Sequence, residues 1–138
     1  MELWCPLRGR IKNMPMEQET KSPETAREKS LRFAVRIVRL YQHLNSEKNE
    51  YVLSKQILRS GTSIGANLAE ADTAFSKNDF LSKVYIALKE CSETLYWLKL
   101  LKETDYLTET MYQSLNGDCE EIRRMLSATT KTIKGSRP

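Results

Sequence analysis

Between residues 31 and 44 the apolar side chains are Leu31, Phe33, Ala34, Val35, Ile37, Val38, Leu40, Tyr41 and Leu44. Their spacings of three and four belong to a helix and not to the two-residue alternation of a half-buried strand. Ser22-Pro23-Glu24 predicts where this helix begins: a capping residue, a proline at the first helical position and an acid in the first turn. The polar run 45–49 breaks it. A second helix is predicted over about 51–74, with Leu53, Ile57, Ile64, Leu68 and Ala71 on one stripe. Ser76-Lys77-Asn78-Asp79 supplies a cap and turn. A third helix over about 79–103 carries Phe80, Val84, Ala87, Cys91, Leu95, Leu98 and Leu101, and 104–106 breaks it. A fourth, over about 108–131, carries Met111, Leu115, Ile122, Met125 and Leu126; Gly117 inside it costs about 1 kcal/mol relative to alanine and marks a weak point. No useful length of chain alternates like a strand. Four amphipathic helices with short connections predict an all-α protein, an antiparallel up-down-up-down four-helix bundle.

The predicted domain spans residues 22–134. Residues 1–21 read as a disordered or misassigned extension, since Met14 and Met16 offer later starts and the opening apolar stretch is too short and interrupted for a signal peptide. Residues 135–138 read as a short tail. Ile86, Leu88 and Trp97 lie off the main stripe of the third helix, and this excess apolar arc predicts a second buried surface and hence a homo-oligomer.

Composition narrows the class. Of 138 residues only five are Gly and four Pro, too few for the many turns of a sandwich or barrel. Three cysteines do not make a secreted disulfide framework, and no segment reaches the eighteen or so apolar residues of a membrane span. A reduced, cytoplasmic protein without membrane contact is the expectation. The formal net charge of +4 hides a strong segregation. Residues 31–60 carry six basic and two acidic side chains, residues 61–121 five and eleven, and residues 122–138 five and none. Such asymmetry points either to a partner or to internal pairing.

Catalytic templates are missing. The one histidine, His43, has Leu40 three residues before it, so the Glu-x-x-His pairs of a di-metal bundle cannot form. Cys5, Cys91 and Cys119 lack the C-x-x-C spacing of a zinc site, and Cys91 falls on the apolar stripe as a small core residue. Gly61-x-x-x-Gly65 lies within a helical pattern and reads as a point of close helix approach, not a phosphate loop. No enzyme and no cofactor is expected.

Two stripes remain. On the first helix Lys29, Arg32, Arg36, Arg39 and His43 fall within about 80° of one another, and the tail adds Lys131, Lys134 and Arg137. A row of cations at helical pitch can track phosphates with salt-sensitive affinity, or it can pair with the acidic middle of the chain. On the second helix Arg59, Ser63, Asn67 and Glu70 share about 80° of arc, bordered by Gln56 and Ser60. They read either as a ligand contact surface or as a polar network fixing helix register, with Arg59 paired to Glu70, Glu90 or Glu93. Tyr51, Tyr85, Tyr96, Trp97, Tyr106 and Tyr112 stand at helical spacing and read as core or interface residues, outside any recognisable RNA-binding motif.

The run 53–71, LSKQILRSGTSIGANLAEA, together with 80–90, FLSKVYIALKE, the later Glu93-Thr94 and Trp97-Leu98, and the opening 28–38, EKSLRFAVRIV, resembles the four-helix bundle proteins encoded by ribosomal RNA intervening sequences. The resemblance covers about residues 27–130. It implies an antiparallel bundle assembled as a ring, typically a homopentamer, similar to the accessory variability protein of diversity-generating retroelements, which works with a reverse transcriptase and nucleic acid. It implies no enzyme activity and carries over no catalytic residue. The expectation is a non-enzymatic adaptor that binds RNA or DNA through Lys29, Arg32, Arg36, Arg39, Lys131 and Lys134. The alternative is a protein-interaction scaffold whose charges serve subunit or partner contacts.

Overall fold

The computed structural model describes residues 22–135, so the expectations for residues 1–21, for Cys5 and for the tail beyond Gly135, including Arg137, lie outside the described residues. The four helices are α1 (Ala26–Ser46), α2 (Leu53–Ala71), α3 (Lys77–Glu103) and α4 (Glu109–Gly135), with no strand among the described residues. Each packs against its neighbours in sequence, and α4 returns to close against α1. The diagonal pairs, α1 with α3 and α2 with α4, face each other only across the core. This is the antiparallel four-helix bundle expected from the periodicity.

The helix ends differ from the expected ones where side chains cap the backbone. Thr25, not Ser22, caps α1. Its hydroxyl accepts from the Glu28 amide at 3.1 Å, and the Glu28 carboxylate accepts from the Thr25 amide at 3.2 Å. This reciprocal box satisfies two of the amides a helix start leaves open, and it leaves Pro23 and Glu24 outside the helix. α2 begins at Leu53 because Glu50 reaches forward over its first turn. One carboxylate oxygen accepts from the amides of Val52 and Leu53 at 3.1 and 2.8 Å, and the other from Ser54 at 2.7 Å. Burial pushes the Glu50 carboxyl up, but the Leu53, Ser54 and Val52 amides outweigh it and hold the group below its ordinary value. α3 ends in a Schellman arrangement, with the Tyr106 amide donating to the Leu101 carbonyl at 2.9 Å and that of Asp105 to the Lys102 carbonyl at 3.0 Å. Asp105 (φ 66°) and Asn49 (φ 51°) take the left-handed turn positions, where Asp and Asn are best tolerated after glycine.

The core is one cluster running from Phe33, Ile37 and Leu44 through Ile57 and Ile64 to Leu98, Leu101, Ile122 and Leu126. Leu88 and Trp97 pack against it from the side, so the bundle itself takes up part of the arc that predicted an oligomer. Cys91 and Cys119, far apart in sequence, meet in the core between α3 and α4: the Cys119 thiol donates to the Cys91 carbonyl at 3.6 Å. The neighbouring Cys91 thiol and burial push the Cys119 thiol far above its ordinary range.

α1 and α2 come together over glycine. A Cβ on Gly61 meets Ile37 Cγ1 at 2.8 Å and Cγ2 at 2.9 Å, and one on Gly65 meets Ser30 Oγ at 3.2 Å. The small-residue stripe is thus a close helix approach, as its spacing predicted. α4 runs unbroken through Gly117, where an added Cβ meets nothing within 4 Å.

Two predictions follow from these contacts. Gly61→Ala forces a β-branched core side chain to move and lowers unfolding free energy by about 1–3 kcal/mol, while Gly117→Ala raises it by about 1 kcal/mol; urea titrations read both, and equal effects at the two sites would refute the packing account. Glu50→Gln lowers stability by about 1 kcal/mol at pH 7, as loss of a cap does. Because the folded carboxyl titrates below its ordinary 4.5, its contribution is full above that value and disappears as pH falls through the folded one. The gap between wild type and variant therefore stays constant from neutrality down to mildly acidic pH and closes below it.

Candidate nucleic-acid interface

The cationic stripe of α1 lies toward α4, which Lys29 and Arg36 engage directly. Lys29 is buried despite its charge, with 9% of its side chain exposed, and its ammonium stands 2.8 Å from Glu121 and 4.0 Å from Asp118. Arg36 bonds the Asp118 carboxylate at 2.5 Å and the Ser114 hydroxyl at 2.7 Å. Arg32 grips both carboxylate oxygens of Glu24 at 2.5 Å, and this hydrogen bond holds the Glu24 carboxyl below its ordinary value. Arg39 bonds Gln42 at 3.3 Å. Beside it Val35, Arg36, Leu40, His43, Met111 and Leu115 line a cleft of about 340 Å³ along the α1–α4 seam. The stripe is brought together as its periodicity predicted, and Lys29, Arg32 and Arg36 meet carboxylates of their own chain.

The α2 stripe faces α3. Arg59 bonds Glu93 at 2.5 Å and lies 3.8 Å from Glu90, two of the three partners anticipated for it. Glu70 takes Lys83 instead, at 2.7 Å. The Asn67 amide donates to the Ser63 carbonyl and hydroxyl at 2.8 and 3.1 Å, Gln56 is exposed, and one turn away the Ser60 hydroxyl is buried 2.9 Å from that of Thr94. Charges and hydroxyls thus run along the α2–α3 seam, the geometry of a register-fixing network.

The remaining candidate cations lie on the C-terminal half of α4. Lys131 and Lys134 are exposed, and the Lys134 ammonium stands 5.0 Å over the Tyr85 ring of α3. Two exposed cations that the stripe argument missed belong to the same region: Arg124 on α4 and Lys89 on α3. Arg124 precedes Lys131 by seven residues, two helical turns, so spacing could have grouped them. Neither Lys89, Arg124 nor Lys131 has an ion pair among the described residues. No group of three His, Cys, Asp or Glu side chains able to hold a metal occurs among the described residues, and no described helix is long and apolar enough to cross a membrane.

Lys29 makes the seam asymmetric toward substitution. Asp118→Asn with Glu121→Gln strands a nearly buried ammonium and costs about 2 kcal/mol, below the usual range for a fully buried pair because Glu121 is half exposed. Lys29→Met removes the charge with its dehydration cost and changes stability by less than about 1 kcal/mol. Urea denaturation of both variants checks the order; a Lys29→Met loss as large as the double variant's would show that the pair itself stabilises.

Comparison with known proteins agrees with the architecture. A crystal structure of a protein of unknown function from the S23 ribosomal protein family, from Bacteroides thetaiotaomicron, superposes with a TM-score of 0.76 at 55% identity, covering 76% of this chain and 97% of that one. No curated protein matches the chain significantly. Residues 25–128 match the model of the 23S rRNA-intervening sequence protein family, the same stretch that begins at the Thr25 cap and ends within α4. The chain belongs to the 23S rRNA-intervening sequence protein family.

Proposed function

We propose that the protein is a non-catalytic, self-associating helical adaptor that binds nucleic acid through the positive face formed by the C-terminal half of α4 and the adjoining surface of α3. The observation that carries the reading is the contrast between two sets of cations. Lys29, Arg32 and Arg36 of α1 have carboxylate partners within the chain, so a phosphate must displace an existing ion pair to use them. Arg124, Lys131 and Lys89 have no such partner among the described residues, and phosphate contacts release condensed counterions at no comparable cost. The family's connection with ribosomal RNA intervening sequences supports the same direction.

Self-association is supported by α1. Leu31, Val35 and Val38 stand on its outer face with Leu31 67% exposed, an apolar stripe that a free bundle leaves in water. A ring, with five copies the expected number, buries it and multiplies the α4 charge around one particle. The same stripe favours a second reading, a scaffold that binds a protein partner such as a reverse transcriptase and no nucleic acid. Charge reversal at Arg36 does not isolate that reading, because the Arg36–Asp118 bond makes it a probe of the fold as well.

Filter binding of a structured RNA between 50 and 200 mM salt tests the proposal. Affinity falls steeply with salt, and Arg124→Gln with Lys131→Gln lowers the slope of log affinity against log salt by about 1–2. Arg32→Gln leaves the slope unchanged. Absence of binding at 50 mM salt, or binding indifferent to salt, refutes nucleic-acid binding and leaves the scaffold; a monomer by light scattering refutes self-association.

A further inference from the structure

The groove between α3 and α4 has a composition that charge alone does not explain. It encloses about 490 Å³ and is lined by Tyr85, Leu88, Lys89 and Ser92 from α3 and by Arg123 and Ser127 from α4. An aromatic ring and an apolar floor alternate with hydroxyls and cations. Because the helices are antiparallel, the groove has two distinct ends. At one end the Lys134 ammonium caps the Tyr85 ring at 5.0 Å. At the other, Arg123 lines the groove with Ser92, its Nη2 and Nε donating to a single Glu120 oxygen at 2.7 and 2.9 Å, which orients the guanidinium while 43% of its side chain stays exposed. Tyr85 and Ser92 are seven residues apart, about 10 Å along the helix axis, which matches roughly three nucleotides at the 3.4 Å spacing of one stacked strand.

Building on the adaptor reading, we infer that this groove is a subsite for single-stranded nucleic acid, with Tyr85 as the stacking platform for one base. The Lys134 ammonium marks where the base goes, since a cation over a ring occupies the face that a base would cover. On binding, the base replaces the ammonium on the ring, and Lys134, on the last turn of α4, turns to the adjacent phosphate. Lys89, without an ion pair among the described residues, takes a neighbouring phosphate, the Glu120-paired Arg123 borders the strand, and the Ser92 and Ser127 hydroxyls are placed for sugar or base edges. A duplex has no unstacked base to offer. It meets only the outer cations Arg124 and Lys131 and does not reach the ring.

Fluorescence anisotropy on the full chain at 50 mM salt, with a labelled twelve-residue oligodeoxythymidine, a twelve-base-pair duplex and inorganic polyphosphate as probes, tests this. The single strand binds more tightly than the duplex. Tyr85→Leu weakens the single strand about tenfold, in the range of losing one stacked base, and leaves duplex and polyphosphate within twofold. Tyr85→Phe keeps single-strand affinity, and circular dichroism of both variants verifies the fold. An equal loss for all three probes, or none for the single strand, overturns the stacking subsite. If binding survives Tyr85→Leu but is lost in Arg124→Gln with Lys131→Gln, the subsite falls and the adaptor reading stands. Absence of binding by every probe overturns both.

Discussion

Lys29 is placed where α1 and α4 meet, with its stem in the bundle and its ammonium between Asp118 and Glu121. A four-helix bundle must close its last seam with side chains from helices most distant in sequence, and here that seam is the thinnest of the four. Apolar packing on it is correspondingly light, with Leu40, Met111 and Leu115 at one end. Charge complements it: a basic stripe at helical pitch on α1 meets Asp118 and Glu121 on α4. Most such pairs at a surface add little to stability. Their weight lies in specificity, because a slip of α4 by one turn would leave the Lys29 ammonium and Arg36 guanidinium facing neutral side chains in a partly dehydrated seam.

The opposite edge of α1 is closed by a different means. Gly61 and Gly65 let α2 approach until Ile37 and Ser30 fill the space a side chain would need. One helix is therefore held tightly by shape on one side and by charge on the other. The α2–α3 seam mixes both, with Ile57 and Ile64 in the core and the Arg59–Glu93 and Lys83–Glu70 pairs at its rim. Each seam has its own chemistry, and this heterogeneity is what distinguishes the native pairing of four similar amphipathic helices from its alternatives.

Helix number, order and the buried stripe were legible because they depend on local periodicity: Ile57, Ile64 and Leu68, or Leu98 and Leu101, are buried where the spacing placed them. The glycine stripe was legible for the same reason. What escaped were features decided by tertiary partners or by reach. The Glu50 cap lies outside the usual position, working from three and four residues upstream through a long side chain. Thr25 prevailed over Ser22 because only Thr25 has Glu28 three residues on to complete the box. The meeting of Cys91 with Cys119 joins residues whose positions on separate helices carry no mutual signal. For the α1 stripe, the residues and their common face were read from the spacing, while the choice between a partner and internal pairing depended on which face of α4 turned toward it.

That last choice redistributes the field of the whole molecule. With Lys29 and Arg36 drawn to Asp118 and Glu121, the carboxylates of α4's middle no longer balance the cations that follow them. Arg124, Lys131 and Lys134 are left at the end of a helix whose acids are already in use. Neutralisation at one seam thus concentrates positive potential at the other side of the same helix, next to Tyr85 and Lys89. The apolar stripe Leu31, Val35 and Val38 belongs to α1, which lies diagonally across the core from α3. The surface proposed for self-association and the one proposed for a polyanion thereby lie on different faces of the bundle, so that occupying the first leaves the second open. An arrangement with the basic stripe of α1 free in solvent would have placed cations beside the apolar stripe on one helix, where assembly and ligand binding compete for the same face.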